Sequence, residues 1–274
     1  MTAAVARRRR GSWGRLWLWC AAGIAMLFLA APTLIVVPLS LSSSSFLTFP
    51  PPGWSTRWYA QLFESLDWTR ASLTSLQVGL GTTACATVLG TCLALGFRTA
   101  FPGRDILRAF VLSPLLVPGI VLAIAYYIFF SVMSLEGVRL LDSVTGLIIA
   151  HSTITIPFVV VTVTASLANV DLALIRAAES LGASPSQTFW RVIFPLIRPG
   201  IATGALFTFL TSFDELIISL FLSGSNVRTL PVRMWDGIRF EVEPTLAAVA
   251  TLLILVSLAV LATAELLKKN DPRH

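Results

Sequence analysis

The sequence predicts an all-α polytopic membrane protein with six transmembrane helices and both termini in the cytoplasm. Three observations predict it. Of the 274 residues, 55% are hydrophobic and only 12% charged, about half the charged share of a soluble domain. Six apolar runs reach the roughly 20 residues that a helical span needs: 16–40, 73–97, 107–133, 144–166, 201–223 and 245–267. Each run is continuous rather than alternating, so the spans are helices and not barrel strands.

The basic residues orient the bundle. With six spans, one side collects Arg7 to Arg10, Arg15, Arg98, Arg104, Arg108, Arg176, Arg191, Arg198, Lys268, Lys269 and Arg273, which is 14 of the 20 Lys and Arg. That side is therefore cytoplasmic. The formal charge of +6 is largely this topology signal, and nucleic acid is not expected as a partner.

In chain order, residues 1–15 form a cytoplasmic basic segment. The apolar run after it is too long for the core of a signal peptide, so it reads as a retained anchor. Residues 16–267 form the membrane domain, and 268–274 a cytoplasmic tail. The first external loop, 41–70, starts with Ser and Pro runs that exclude helix. Its Trp54, Trp58, Tyr59 and Trp68 suit the water–membrane boundary. Residues 98–106 make a short turn with Pro102-Gly103 at its apex. Pro114 and Pro118 in the third span and Pro157 in the fourth predict kinks. The second external loop, 134–143, reads as a simple connection. The last, 224–244, has Pro231 placed to open a short helix. It mixes Arg228, Arg233 and Arg239 with Asp236, Glu241 and Glu243, and Arg233, Trp235 and Asp236 are the candidate docking surface for another polypeptide.

Chemistry is scarce. The only lysines follow "AELL", so the chain has no phosphate-binding loop. It has no G-x-S-x-G elbow. His151 and Ser152 are sequence neighbours on a helix and diverge in direction. Two histidines and three apolar-embedded cysteines offer no metal ligand set. The chain reads as a non-enzyme with no cofactor of its own.

The long polar stretch 167–200 is the exception. A connection of that length needs a reason. Asn169 and Asp171 can cap a helix start, and "LALIRAAESL" is strongly helix-forming. Gly182 suits a left-handed helix end. Ser184-x-x-Gln187 is a capping box with Pro185 at the first helical position. A second short helix is expected to run to Phe194, where Pro195 stops it. Leu174, Ala178, Leu181, Phe189, Val192 and Ile193 are expected to pack this loop under the membrane domain. The tip, Gly182 to Ser186 with Ala183 inside it, is expected to stay exposed. The loop reads either as a docking element or as an amphipathic pair lying on the membrane.

Here the residues resemble a known family. Ala177-Ala178-Glu179, Gly182 and Ile193-Phe194-Pro195 look like the cytoplasmic loop motif of bacterial ABC importer permeases: Glu-Ala-Ala, three residues, Gly, about nine residues, then Ile-x-Leu-Pro. Arg176 stands in the place of the Glu, Glu179 falls inside the gap, and Phe194 replaces the Leu. "SFDELIISLFLSG" (212–224) and "RTLPVRMWDGIRFEVEPTLAA" (228–248) resemble the permeases of spermidine/putrescine importers more specifically. The resemblance implies a type I ABC importer permease fold in the bacterial inner membrane. It implies a coupling loop formed by Ala177, Ala178, Glu179, Gly182, Ala183, Ser184, Pro185 and Pro195. The implied partners are ABC ATPase subunits that use ATP, a second permease chain, an extracytoplasmic substrate-binding protein and membrane lipid.

Asp214 and Glu215 lie within the fifth expected span. A carboxylate there is costly, about 2.5–3.5 kcal/mol on insertion scales, and by default faces a bundle interior or a water-filled cavity. They are the candidate substrate path for a cation, with Tyr126 and Tyr127 as aromatic candidates beside it. Holding helices together is the alternative role for the carboxylates. The rival function is a stand-alone proton-coupled secondary transporter that titrates Asp214 or Glu215.

Overall fold

The structure is a computed structural model, and residues 12–135, 137–240 and 243–269 are described. Every regular element among the described residues is helical. Among the described residues, four helices are long and apolar enough to cross a membrane, or five if one sharply bent pair is a single span. The chain forms two compact units, one of residues 1–65 with 237–274 and one of 66–236.

In the first unit, α1 (Ser12–Ser40) packs on α12 (Thr245–Lys269), which also packs on α2 (Arg57–Glu64). The apolar side chains of α1 are exposed along most of its length, as suits a lipid-facing helix. The loop after α1 is tied down. The Trp58 indole N–H donates to the Ser42 carbonyl at 2.8 Å, and Ser40 shares a 2.7 Å hydrogen bond with Tyr59. Trp58 is therefore a buried core residue, as is Trp68. Of the four aromatics expected at the membrane boundary, Trp54 is well exposed. Trp58 and the half-buried Tyr59 find hydrogen-bond partners in the loop, and Trp68, in the second unit, is covered by the Arg233 guanidinium.

The second unit is built on α3 (Leu66–Gly96), α6 (Val144–Ala168) and α9 (Phe194–Phe213), which pack on one another pairwise. Close approach explains why. A Cβ added at Gly90 would lie 2.7 Å from the Val159 Cβ, and one at Gly200 would collide with the Ser166 hydroxyl. Small residues let helix backbones meet in lipid, where van der Waals packing replaces the hydrophobic drive. Val159, Val163, Leu167, Ile197 and Ala94 fill this seam. A second cluster joins Val78, Leu147 and Ala150 to Ala123 and Phe130 of α5 (Gly119–Leu135) and to Ile218 and Leu222 of α10 (Ile217–Leu222). The remaining helices of the unit are α4 (Arg104–Leu112), α7 (Leu172–Ser180), α8 (Pro185–Thr188) and α11 (Leu230–Phe240), the last ending in the first unit's residues.

Two expected spans are corrected, and the fourth keeps its extent as α6. The third is not a kinked rod. α4 and a single 3-10 turn, Ser113–Leu115, meet α5 at 103°. Pro118 drives the residue before it out of the helical region, so the chain turns a corner there. The fourth runs unbroken through Pro157, which is buried within α6. The fifth is displaced and divided: helix continues from Pro185 through a π-turn, Phe189–Ile193, into α9, and then breaks at Asp214–Leu216 before α10. Pro195 therefore does not stop a helix. It falls in the first turn of α9, where a missing N–H costs least.

Candidate functional site

Three constructions stand out in the second unit. The first is the loop between α6 and α9. The Asp171 carboxylate caps α7 by accepting from the Ala173 N–H at 2.8 Å. Asn169 caps nothing ahead of it; its amide donates back to Ala165 at the end of α6. At the far end of α7, Gly182 takes φ +79°. Its N–H reaches the Glu179 carbonyl at 2.9 Å, and the Ala183 N–H reaches Ala178 at 3.0 Å. This pair of bonds is the Schellman closure. One residue later the reciprocal capping box forms. The Gln187 side chain accepts from the Ser184 N–H at 2.9 Å, and the Ser184 hydroxyl accepts from the Gln187 N–H. Two opposed helix ends are thus satisfied within four residues, and the corner between them is rigid rather than slack.

The apolar residues of this loop do not all pack as expected. Leu181 is 88% exposed, and Leu172, Leu174 and Trp190 are exposed too, whereas Phe189, Val192 and Ile193 are partly covered. Phe189, Trp190 and Phe194 cluster with ring centroids 5.0–6.0 Å apart around the π-turn, the first two edge-on and the other pairs tilted. Ala177 and Glu179 are exposed, as are Ser184 and Pro185. The tip therefore presents a bare leucine beside a polar corner.

The second construction is the break between α9 and α10. Glu215 caps the second piece: its Oε1 accepts from the Ile218 N–H at 3.0 Å. Asp214 ends the first piece and is exposed, its carboxylate without a partner among the described residues. The two carboxylates thus have different surroundings. Phe209 and Phe213 stack at 5.6 Å on the last turns of α9. Tyr126 packs in the apolar cluster with Ile218 and Leu222, and Tyr127 faces outward. No hydrogen bond joins either tyrosine to either carboxylate among the described residues.

Sequence reasoning passed over the residue that spans this break. His151 is fully buried in α6. One ring nitrogen lies 2.9 Å from the Ser212 hydroxyl at the end of α9, and the other lies 3.1 Å from the Ser219 hydroxyl in α10. A neutral imidazole has one donor and one acceptor, and the two serines complete it on either side of the break. A lone histidine inside an apolar run is the signal that could have found it.

The third construction joins the two loops at the other end of α6. Asp142 adopts φ +53° and accepts from the N–H groups of Gly224, Asn226 and Val227 and from the Asn226 amide, at 2.7–3.2 Å. Burial alone would raise this carboxyl, but the four donors outweigh it and hold its pKa below the ordinary value. The 134–143 segment is thus a clamp, not a simple connection. Nearby, Ser75 accepts from the Leu230 N–H at 2.8 Å and fixes the start of α11. Arg233 lies 4.6 Å over the Trp68 ring, Asp236 pairs with Arg228 at 3.3 Å, and Trp235 is 37% exposed.

The chain belongs to the family of binding-protein-dependent transport system inner membrane components, whose profile matches residues 86–270. It is 29% identical over 247 residues to the spermidine/putrescine transport system permease protein PotC of Escherichia coli, which covers 90% of this chain and 91% of that one. It is 31% identical over 230 residues to the E. coli putrescine transport system permease protein PotI, with 83% and 82% covered. The trehalose transport system permease protein SugB of Mycobacterium tuberculosis is 31% identical over 193 residues, 68% of each chain. In fold it matches a chain of a bacterial ABC transporter involved in importing the acidic polysaccharide alginate. The TM-score is 0.72, with 95% and 98% of the two chains covered at 14% identity. The protein is therefore an ABC importer permease, homologous to the polyamine permeases.

Proposed function

We propose that this chain is the membrane subunit of an ATP-driven importer for a small cationic solute of the polyamine class. Six spans place both termini and the 167–200 loop in the cytoplasm, with the third span formed by the bent α4–α5 pair. The loop corner docks on a separate ATPase, which binds and hydrolyses the ATP. A second permease chain completes the bundle, and an extracytoplasmic binding protein delivers the solute. The chain makes no covalent bond; it supplies a path with alternating access, and Asp214 draws the cation toward the break in the fifth span.

The observation that carries this reading is the doubly capped corner at Ser180–Gln187 with Leu181 bare at its tip. A single exposed leucine is ordinary on a protein surface; what favours docking here is the corner beneath it, closed by both helix caps. A membrane-surface helix pair needs no such closure. Polyamine-type solute is supported by the relatedness to PotC and PotI. The relatedness to a trehalose permease limits the weight of that argument, and Asp214 supplies the charge that favours the cation.

The test is co-purification of the detergent-solubilised chain with its ATPase. Intact protein captures the ATPase. Gly182→Trp, which forces a bulky residue into φ +79°, and Leu181→Asp, which leaves the caps intact, both lose it. Failure of the intact, folded chain to capture its own ATPase refutes the coupling role and favours a stand-alone transporter.

A further inference from the structure

The external-loop end of the second unit contains a polar cavity of about 160 Å³ between the start of α3 and the segment leading into α11. Its walls include Asp67, Arg70, Thr74, Asn226, Arg228 and Arg233. The volume is about that of five waters. These walls do not depend on a ligand for their shape. Asn226 is held by the Asp142 clamp, and the start of α11 is held by Ser75.

The charges in this cavity are unequally engaged. Arg228 is occupied: it donates to the Gly224 carbonyl and to Asp236. Asp142 lies behind Asn226 with its lone pairs filled by loop N–H groups. Asp67 sits in the first turn of α3, where a carboxylate complements the helix end. That leaves Arg70 and Arg233, neither of them in an ion pair among the described residues. Arg233 is oriented by Trp68 beneath it, yet its buried Nε–H has no acceptor. A buried guanidinium donor without an acceptor is costly. A fixed fork of this kind matches a carboxylate.

We infer that this cavity is the seat for an acidic side chain of the extracytoplasmic binding protein, with Arg70 and Arg233 as the two guanidiniums that receive its carboxylate. The inference rests on the importer reading above, which puts this end outside and requires a docking protein. A resting place for the solute itself does not fit, because a cation gains nothing from two unpaired arginines. The docking would be a steering and registration contact: it sets how the binding protein sits, not the chemistry of the solute.

The experiment uses the whole importer in phosphatidylcholine vesicles with its ATPase, its second permease and its binding protein. The readout is the concentration of binding protein that half-saturates stimulation of ATP hydrolysis. Arg70→Glu, on an exposed helix position, raises that concentration about tenfold, the usual scale for reversing one interfacial charge, while the saturated rate changes little. Arg233→Gln moves it in the same direction. Added salt weakens the intact pair and has less effect on Arg70→Glu. A Lys in place of the matching Asp or Glu on the binding protein restores affinity to Arg70→Glu.

Unchanged half-saturation in both arginine variants overturns the seat but leaves the importer reading standing, because the intact complex still responds. A shift seen only when anionic lipid is added to the vesicles assigns the cavity to a lipid phosphate and also overturns it. No stimulation of the intact complex by its binding protein overturns the importer reading and the seat together.

Discussion

Replacing His151 with leucine tests whether the broken fifth span is held by a polar pin. Leucine fills a similar volume, so the apolar packing around α6 stays. Two buried hydrogen bonds are lost, at 2.9 Å to Ser212 and 3.1 Å to Ser219. Side-chain hydrogen bonds between membrane helices average about 0.6 kcal/mol and reach about 1.7, so the pair amounts to about 1–3 kcal/mol. Each serine can turn its hydroxyl back to a carbonyl in its own helix, which keeps the loss in that range rather than above it. On a two-state element that energy is roughly a 5- to 150-fold change in population. The assay is reversible unfolding of the detergent-solubilised chain in rising SDS, run for His151→Leu, Ser212→Ala and the double variant. The single variants unfold earlier, and the double costs less than their sum because both remove one bond. His151→Gln, which can still donate and accept, falls between. Strict additivity of His151→Leu and Ser212→Ala would refute the pin, since it leaves no coupling between α6 and the end of α9.

Asp142→Asn keeps a residue type that tolerates positive φ but offers its amide where four donors point. We expect a loss of about 1–2 kcal/mol at neutral pH, read by the same unfolding assay. Because the folded carboxyl lies below the ordinary value of 3.8, its contribution is complete above about pH 4 and fades as pH falls through the lower folded value. The gap between variant and parent therefore closes in acid; a gap that widens there contradicts the assignment. Asp214→Asn should weaken uptake of a polyamine several-fold with assembly unchanged, and wild-type uptake would remove Asp214 from the path. Gly200→Leu drives a side chain into Ser166 and the Thr162 carbonyl. An overpacking cost of about 1–3 kcal/mol follows, seen as reduced yield of assembled complex.

Much of the corner between α7 and α8 was legible because capping is local chemistry. Asp171, Gly182, Ser184 and Gln187 each act within a few residues of themselves, so their spacing alone specifies the bonds. The error nearby came from reading Pro195 as a stop. A proline in the first turn of a helix and one after its end look alike in sequence, and only the continuity through the π-turn separates them. The break at Asp214–Leu216 was hidden for a different reason. The apolar run continues through it, and hydropathy reports solubility in lipid, not backbone continuity. The His151 and Asp142 constructions were out of reach because their partners lie 61 to 85 residues away. No periodicity carries information over that distance. The arginines of the 224–244 segment were visible as charges, but their inequality appears only once Asp236, Asn226 and Trp68 have taken their places.

The helix from Pro185 to Phe213 runs 29 residues, about 43 Å at 1.5 Å per residue. Its first turn belongs to the capped corner and its last abuts the exposed Asp214. On the importer reading proposed above, the corner that would meet the ATPase and the carboxylate that would meet the solute are the two ends of one helix. A swing of about 10° at one end carries the other about 7 Å over that length, enough to move a carboxylate out of reach of an ammonium group. The π-turn, wrapped by Phe189, Trp190 and Phe194, lies close to the driven end. Any give in it would fall near the corner rather than at Asp214.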